Sequence, residues 1–223
     1  TAEAAKAIGS YDPATKQIDW ILGTGQDRTH MIYVFPNLNP IITSNVNSAT
    51  ITIIEKSNGP GGPAGAPPRP GPRTNWTETA IPVGKGSEGF DVSPDGNEIW
   101  VANAQDGTIS VIDLAAKKVV QTLNANARGA NRLKFTPDGK LAFVSTLGGP
   151  DLIVFAVAVR KEVKRVPIGH GAAGILMQPD GQRAYVACTP DDYIVVIDLK
   201  SLTVTGKITA GTHPDGLAWA VRK

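Results

Sequence analysis

Three stretches decide the fold: Phe90-Asp91-Val92-Ser93-Pro94-Asp95-Gly96, Leu133-Lys134-Phe135-Thr136-Pro137-Asp138-Gly139 and Ile175-Leu176-Met177-Gln178-Pro179-Asp180-Gly181. Their Pro-Asp-Gly tripeptides recur at spacings of 43 and then 42 residues, a period that marks a repeat architecture. Each tripeptide suits a tight hairpin turn. Proline presets φ, aspartate bonds its own backbone and glycine accepts positive φ. Before each turn lies a short apolar strand. After it comes a β-rich run: Ile99 to Asn103, Ala142 to Thr146, or Ala184 to Cys188.

A third strand follows as Ile109 to Leu114, Leu152 to Ala156 and Ile194 to Leu199. A fourth, more polar one is read in Lys118 to Leu123, Glu162 to Val166 and Thr203 to Ile208. Charge on the fourth strand is what an outer edge needs to discourage pairing with other chains. Four short antiparallel strands per period of about 42 residues, with no amphipathic helix, predict an all-β fold, a β-propeller of four-stranded antiparallel blades.

The repeat continues upstream. Ile32 to Val34, Pro36-Asn37, Thr43 to Asn45 and Thr50 to Glu55 lie 58 residues before their counterparts. The excess over one period is an insertion at 57–74, rich in proline and glycine, which cannot form a ladder and reads as a loop between third and fourth strands. Ile8 to Asp12 and Ile18 to Leu22 match a third and fourth strand, and Gly216 to Val221 a first. The organisation expected is one propeller domain over 1–223: a partial blade 1–22, blades 23–83, 84–126, 127–168 and 169–210, and 211–223 as a first strand closing the ring. That is four full blades and a split fifth, in which most of strand two is missing because Thr1 and Ala2 align with Ala102 and Asn103.

Composition bounds the function. Of 223 residues, 41% are hydrophobic and 19% charged, and the formal net charge is +2, the balance of a globular chain. The basic residues are scattered, so neither a nucleic-acid surface nor a polybasic membrane patch is predicted, and no apolar run approaches the roughly 18 residues of a membrane span. The single cysteine, Cys188, excludes an internal disulfide framework and reads as a small buried hydrophobe.

Tyr185-Val186-Ala187-Cys188, Trp100-Val101-Ala102-Asn103, the Ser93-Pro94-Asp95-Gly96 turn and the Val111-Ile112-Asp113 strand resemble the YVTN-repeat propellers, which include YncE-like and surface-layer proteins. The chain departs from the pattern at Pro36-Asn37-Leu38, which lacks the glycine, and at Ala156, where the aspartate of the third strand is replaced. The resemblance implies a ring of about seven blades, of which this chain would be part, and a periplasmic or extracellular location. Related propellers serve as binding scaffolds, as lactonases and as subunits of haem or quinone enzymes, so the resemblance carries fold further than activity.

Two glycine-rich segments, Gly84 to Gly89 and Gly169 to Gly174, match a dinucleotide fingerprint in pattern. They lack the parallel strand and helix that the fingerprint requires and recur at the blade period, as inter-blade turns do. The same turns nevertheless hold the best site candidate. In a propeller, the connections from fourth to first strand gather on one face around the central channel. Repeat alignment places His30, Glu88, Asn131, Ala173 and Asp215 at one position just before strand one, with Lys85, Arg128, His170 and His213 immediately upstream. All three histidines fall in this ring, a composition suited to an anionic or metal-bearing ligand.

The spacing supports neither a preformed metal site nor a catalytic set, and no cofactor is expected. Asp191-Asp192 lacks the spaced oxygens of a calcium loop. Trp20, Trp76, Trp100 and Trp219 are expected in packing, Pro67 to Pro70 offers a short PxxP segment, and Asn75-Trp76-Thr77 fits a glycosylation acceptor. The function expected is an exported scaffold that binds a small molecule or a protein through the inter-blade turns. The alternative is a propeller enzyme, lactonase-like or partnered with a redox enzyme.

Overall fold

In the computed structural model, which describes residues 1–57 and 75–220, eighteen strands form five antiparallel sheets. β1 (Ala7–Asp12) and β2 (Gln17–Gly23) pair with each other alone. Four blades follow: β3 (Thr29–Val34), β4 (Ile41–Asn45), β5 (Thr50–Ser57) and β6 (Asn75–Pro82); β7 (Ser87–Val92), β8 (Glu98–Asn103), β9 (Thr108–Asp113) and β10 (Lys118–Asn124); β11 (Ala130–Phe135), β12 (Leu141–Thr146), β13 (Asp151–Ala156) and β14 (Lys161–Pro167); β15 (Ala172–Met177), β16 (Arg183–Cys188), β17 (Tyr193–Asp198) and β18 (Thr203–Thr209). Each is a four-strand meander in chain order. Among the described residues the one helical element is a 3₁₀ turn at Thr189–Asp191, and no helix is long and apolar enough to cross a membrane. These are propeller blades, as the repeat predicts.

The Pro-Asp-Gly turns close as their chemistry dictates. The amides of Gly96, Gly139 and Gly181 donate to the carbonyls of Ser93, Thr136 and Gln178 at 2.8, 2.8 and 2.9 Å, with the glycines at φ of 74°, 70° and 71°. Asp95 Oδ1 accepts from Ser93 Oγ at 2.5 Å and Asn97 N at 3.1 Å, which lowers its pKa through those bonds. In the first full blade Leu38 occupies the glycine's place at φ 62°, a left-handed conformation that costs a non-glycine residue about 1–2 kcal/mol.

Middle strands of the first three full blades are buried on both faces because each of these blades packs between two other sheets. Alternate residues therefore point to opposite neighbours. From β8, Ile99 and Val101 join Ile42, Ile51 and Ile53 of the preceding blade. Trp100 and Ala102 join Leu133, Phe135 and Phe155 of the following one. Trp100 is fully buried, edge-on to Phe135 with ring centroids 5.6 Å apart. β1 and β2 pack on the first full blade through Ile8, Ile41 and Ile54, where Trp20 meets Trp76 at 5.0 Å. Cys188 is buried, and burial pushes its thiol up to about 11, leaving it inert.

Two expectations need correction. The segment 211–220 forms no strand, and among the described residues it makes no backbone hydrogen bond to β1 or β2. It does follow a first-strand path, since a Cβ on Gly174 would lie 2.0 Å from Asp215 O, just as one on Gly89 would lie 2.2 Å from Asn131 O. An innermost strand has one ladder partner, the second strand of its own blade, and among the described residues no such strand lies beside 211–220. Trp219, expected in packing, is consequently 46% exposed, although its ring lies 6.3 Å from Tyr185. The Pro/Gly-rich insertion, with its PxxP segment, lies almost wholly outside the described residues.

Candidate functional site

Every innermost strand carries a bulge at the same place. The ladder register shifts between Thr29 and Ile32, Ser87 and Phe90, Ala130 and Leu133, and Ala172 and Ile175. Two residues on strand one thus oppose one on strand two. Such a bulge re-aims side chains and leaves backbone groups without ladder partners. Serines on strand two supply partners. Ser44 Oγ accepts from Met31 N at 3.1 Å and donates to Glu88 O at 2.9 Å, and Ser145 Oγ accepts from Arg132 N at 3.1 Å and donates to Ala173 O at 2.8 Å. Each serine holds its own blade's bulge to that of the next blade.

The bulges gather His30, Glu88 and Asn131 from three consecutive blades. Glu88 Oε1 lies 3.2 Å from His30 Nε2, 3.6 Å from Arg28 Nη2 and 3.8 Å from Arg132 Nη1. On the other side, His30 Nδ1 pairs with Glu3 Oε1, and Arg28 Nε lies 3.4 Å from Glu3 Oε2. Arg132 Nη1 also donates to Asn131 Oδ1. The side chains of His30, Glu88 and Arg132 are 22%, 16% and 17% exposed. Hydrogen bonding to Glu88 raises the His30 pKa, against a smaller opposing effect of burial, and the same bond lowers that of Glu88. Both shifts favour an imidazolium facing a carboxylate. The geometry of the pair is imperfect: Nε2 is buried with no hydrogen-bond partner despite the 3.2 Å approach.

The other members of the predicted ring do not converge. At the upstream position the backbone amide turns inward to the loop between strands two and three. Lys85 N donates to Asp106 Oδ2 and His170 N to Asp191 Oδ2, both at 2.8 Å. The side chains therefore point outward, and His170 is 78% exposed. His213 N donates to Asp192 Oδ1 at 2.8 Å, and the His213, Arg128 and Asp215 side chains are exposed. Asp191 and Asp192 are loop caps. Asn45 and Asn103, at the ends of their second strands, are fully buried, with their amides bonded to Thr50 and Thr52, and to Thr108 and Ser110. Among the described residues no group of three or more His, Cys, Asp or Glu could hold a metal ion.

Arg28, Arg132 and Glu3 are missing from the sequence-derived ring. Arg28 aligns with Gly86, Gly129 and Gly171, all four at positive φ. Arg132 aligns with Met31, Gly89 and Gly174. In both columns glycine in other blades masks the functional side chain. A bulge displays two successive residues rather than one, and that rule was the available signal for Arg132.

The large clefts lie elsewhere, on the face of the Pro-Asp-Gly turns. Cavities of about 520 and 670 Å³ run between the second and third, and the third and fourth, full blades. Asp95 and Asp138, which line them, are already bonded within their own turns. The convergent polar groups are at the bulges, and they line none of these clefts.

No protein-family model matches the chain, and no curated protein matches it. Solved structures do. The chain is similar to Kuenenia stuttgartiensis hydrazine synthase (TM-score 0.66, 19% identity, covering 81% of this chain and 48% of that one). It is also similar to a protein of unknown function from Desulfotomaculum acetoxidans (TM-score 0.78, 14% identity, 97% and 67%). A third is a candidate 6-phosphogluconolactonase from Bacteroides uniformis (TM-score 0.71, 17% identity, 92% and 65%). The chain spans about half the length of the hydrazine synthase chain and about two thirds of the other two. At these identities the likeness establishes the β-propeller fold alone.

Proposed function

We propose that the chain is a YVTN-type propeller, exported from the cytoplasm, that binds a small molecule or a protein through the face of the inter-blade turns. One observation carries this: three consecutive blades place His30, Glu88, Asn131 and Arg132 at their bulge positions, where with Glu3 and Arg28 they form a partly buried charged cluster. Burying charge costs stability unless it is paired. A purely structural position would carry an apolar or small residue, as Ala173 does in the fourth full blade. The YVTN-like strands support the family assignment, and export follows from that resemblance.

The test is a ligand panel of organic acids, sugars, nucleotides and polyamines scored by thermal shift, applied to the wild type, His30→Ala, Arg132→Ala and the opposite-face control Asp138→Ala. Each variant is compared with its own ligand-free baseline. A ligand shift lost in the first two variants and kept in the third is expected. Shifts lost only with Asp138→Ala would refute the choice of face. Turnover of a lactone or ester panel that depends on His30 would replace a scaffold with an enzyme.

A further inference from the structure

We propose that the ligand of this face presents a small anionic group, a carboxylate or a phosphate, to Arg28, His30 and Arg132, and that Glu88 is the built-in counter-anion whose place that group takes or shares. The proposal rests on the turn-face reading above and adds the ligand's chemistry to it.

Charge counting leads there first. The cluster holds two guanidinium groups, Arg28 and Arg132, against two carboxylates, Glu3 and Glu88, so protonation of His30 between those carboxylates gives it a net positive charge. One positive charge is left over in a partly buried setting, where it is weakly screened. A single excess charge suits a small anion. It does not suit a polyanion, which needs an extended basic track.

Donor geometry leads the same way. Three cations converge on one oxygen, Glu88 Oε1, from 3.2, 3.6 and 3.8 Å, of which the two guanidinium distances exceed a normal hydrogen bond. His30 Nε2 is buried without a hydrogen-bond partner. A guanidinium has five N–H donors in a fork that matches two oxygens at once, yet among the described residues the Arg132 guanidinium makes a single hydrogen bond, to Asn131 Oδ1. Donors outnumber the acceptors Glu88 can offer, and an entering carboxylate or phosphate would supply the missing ones. The fourth full blade places Ala173 at the equivalent position, with no group to compete.

Because the chain has three histidines, ring NMR signals of isotopically labelled histidine report on His30, with the exposed His170 and His213 as internal controls. Protein at pH 6 and fixed ionic strength is titrated with succinate, inorganic phosphate, glucose and spermidine. Saturable movement of His30 by succinate or phosphate, with His170 and His213 unmoved, is expected. Arg132→Gln should weaken that binding at least tenfold and Glu88→Gln should tighten it at least threefold. If Arg132→Gln does not fold, the more exposed Arg28→Gln serves in its place. Movement of His30 by glucose or spermidine alone would overturn the anion proposal and leave the turn face as the binding face. Failure of every probe to move His30, or equal movement of all three histidines, would overturn the site. Weaker anion binding in Glu88→Gln would overturn the role given to Glu88.

Discussion

Replacing Gly89 with alanine probes the contact that brings one bulge against the next. A Cβ there would sit 2.2 Å from Asn131 O and 2.7 Å from Arg132 Cα. Both are backbone atoms of β11, which is held by its ladder to β12 and by the Ser145 bridge, so neither can retreat without breaking bonds. Overpacking of this kind costs about 1–3 kcal/mol, more where backbone must move, and we expect about 3 kcal/mol for Gly89→Ala. For a chain of this size that lowers Tm by about 6–12 °C. Gly174→Ala meets an equally close atom, Asp215 O at 2.0 Å, but Asp215 belongs to an exposed segment without a ladder. That segment can move away, and the expected cost is below about 1 kcal/mol. Urea unfolding followed by tryptophan fluorescence, with calorimetric Tm as a second measure, gives both values. Equal losses, or a larger loss at Gly174, would refute the account of how the bulges are held.

Three further outcomes follow from the same geometry. Ser44→Ala should cost about 2 kcal/mol in urea unfolding, because the Met31 amide and the Glu88 carbonyl both lose their partner; a loss under about 0.5 kcal/mol would show that the bridge is dispensable. Leu38→Gly should stabilise the protein by about 0.5–1 kcal/mol in the same assay, since φ of 62° suits glycine and relieves strain; destabilisation would mean that the Leu38 side chain packs usefully. The stability that the His30–Glu88 pair provides should depend on pH with a definite sign. The raised His30 pKa gives a contribution that is complete below its ordinary value of 6.5 and is lost as pH rises through the folded value. The lowered Glu88 pKa gives one that is present above its ordinary value of 4.5 and is lost as pH falls through the folded value. The stability gap between wild type and Glu88→Gln should therefore be widest between about pH 4.5 and 6.5, and a gap that widens toward pH 9 would contradict the pairing.

Blade period, strand order and turn chemistry were legible because each is local. Pro-Asp-Gly needs its own neighbours to turn, and the two-sided burial of middle strands leaves unbroken apolar runs such as Leu152 to Ala156. The inward position of His30, Glu88 and Asn131 was legible too, because repeat alignment turns a three-dimensional equivalence into a spacing. The upstream column was misread because Lys85 and His170 present their amides inward and their side chains outward, a distinction that residue identity does not carry. Arg28 and Arg132 were hidden because glycine occupies their columns in other blades. The final first strand failed to form a ladder because strandness depends on a partner, and among the described residues 211–220 have none.

If side chains from consecutive blades act as one charged unit on the face of the inter-blade turns, a double-mutant cycle at pH 6 on His30→Ala, Glu88→Ala and the double variant must show coupling. A coupling of about 1 kcal/mol, roughly halved or less at pH 9, is expected of an ion pair that is partly exposed. Stability losses that add to within about 0.3 kcal/mol at both pH values would show that the two side chains do not interact, and the site built on them would fall.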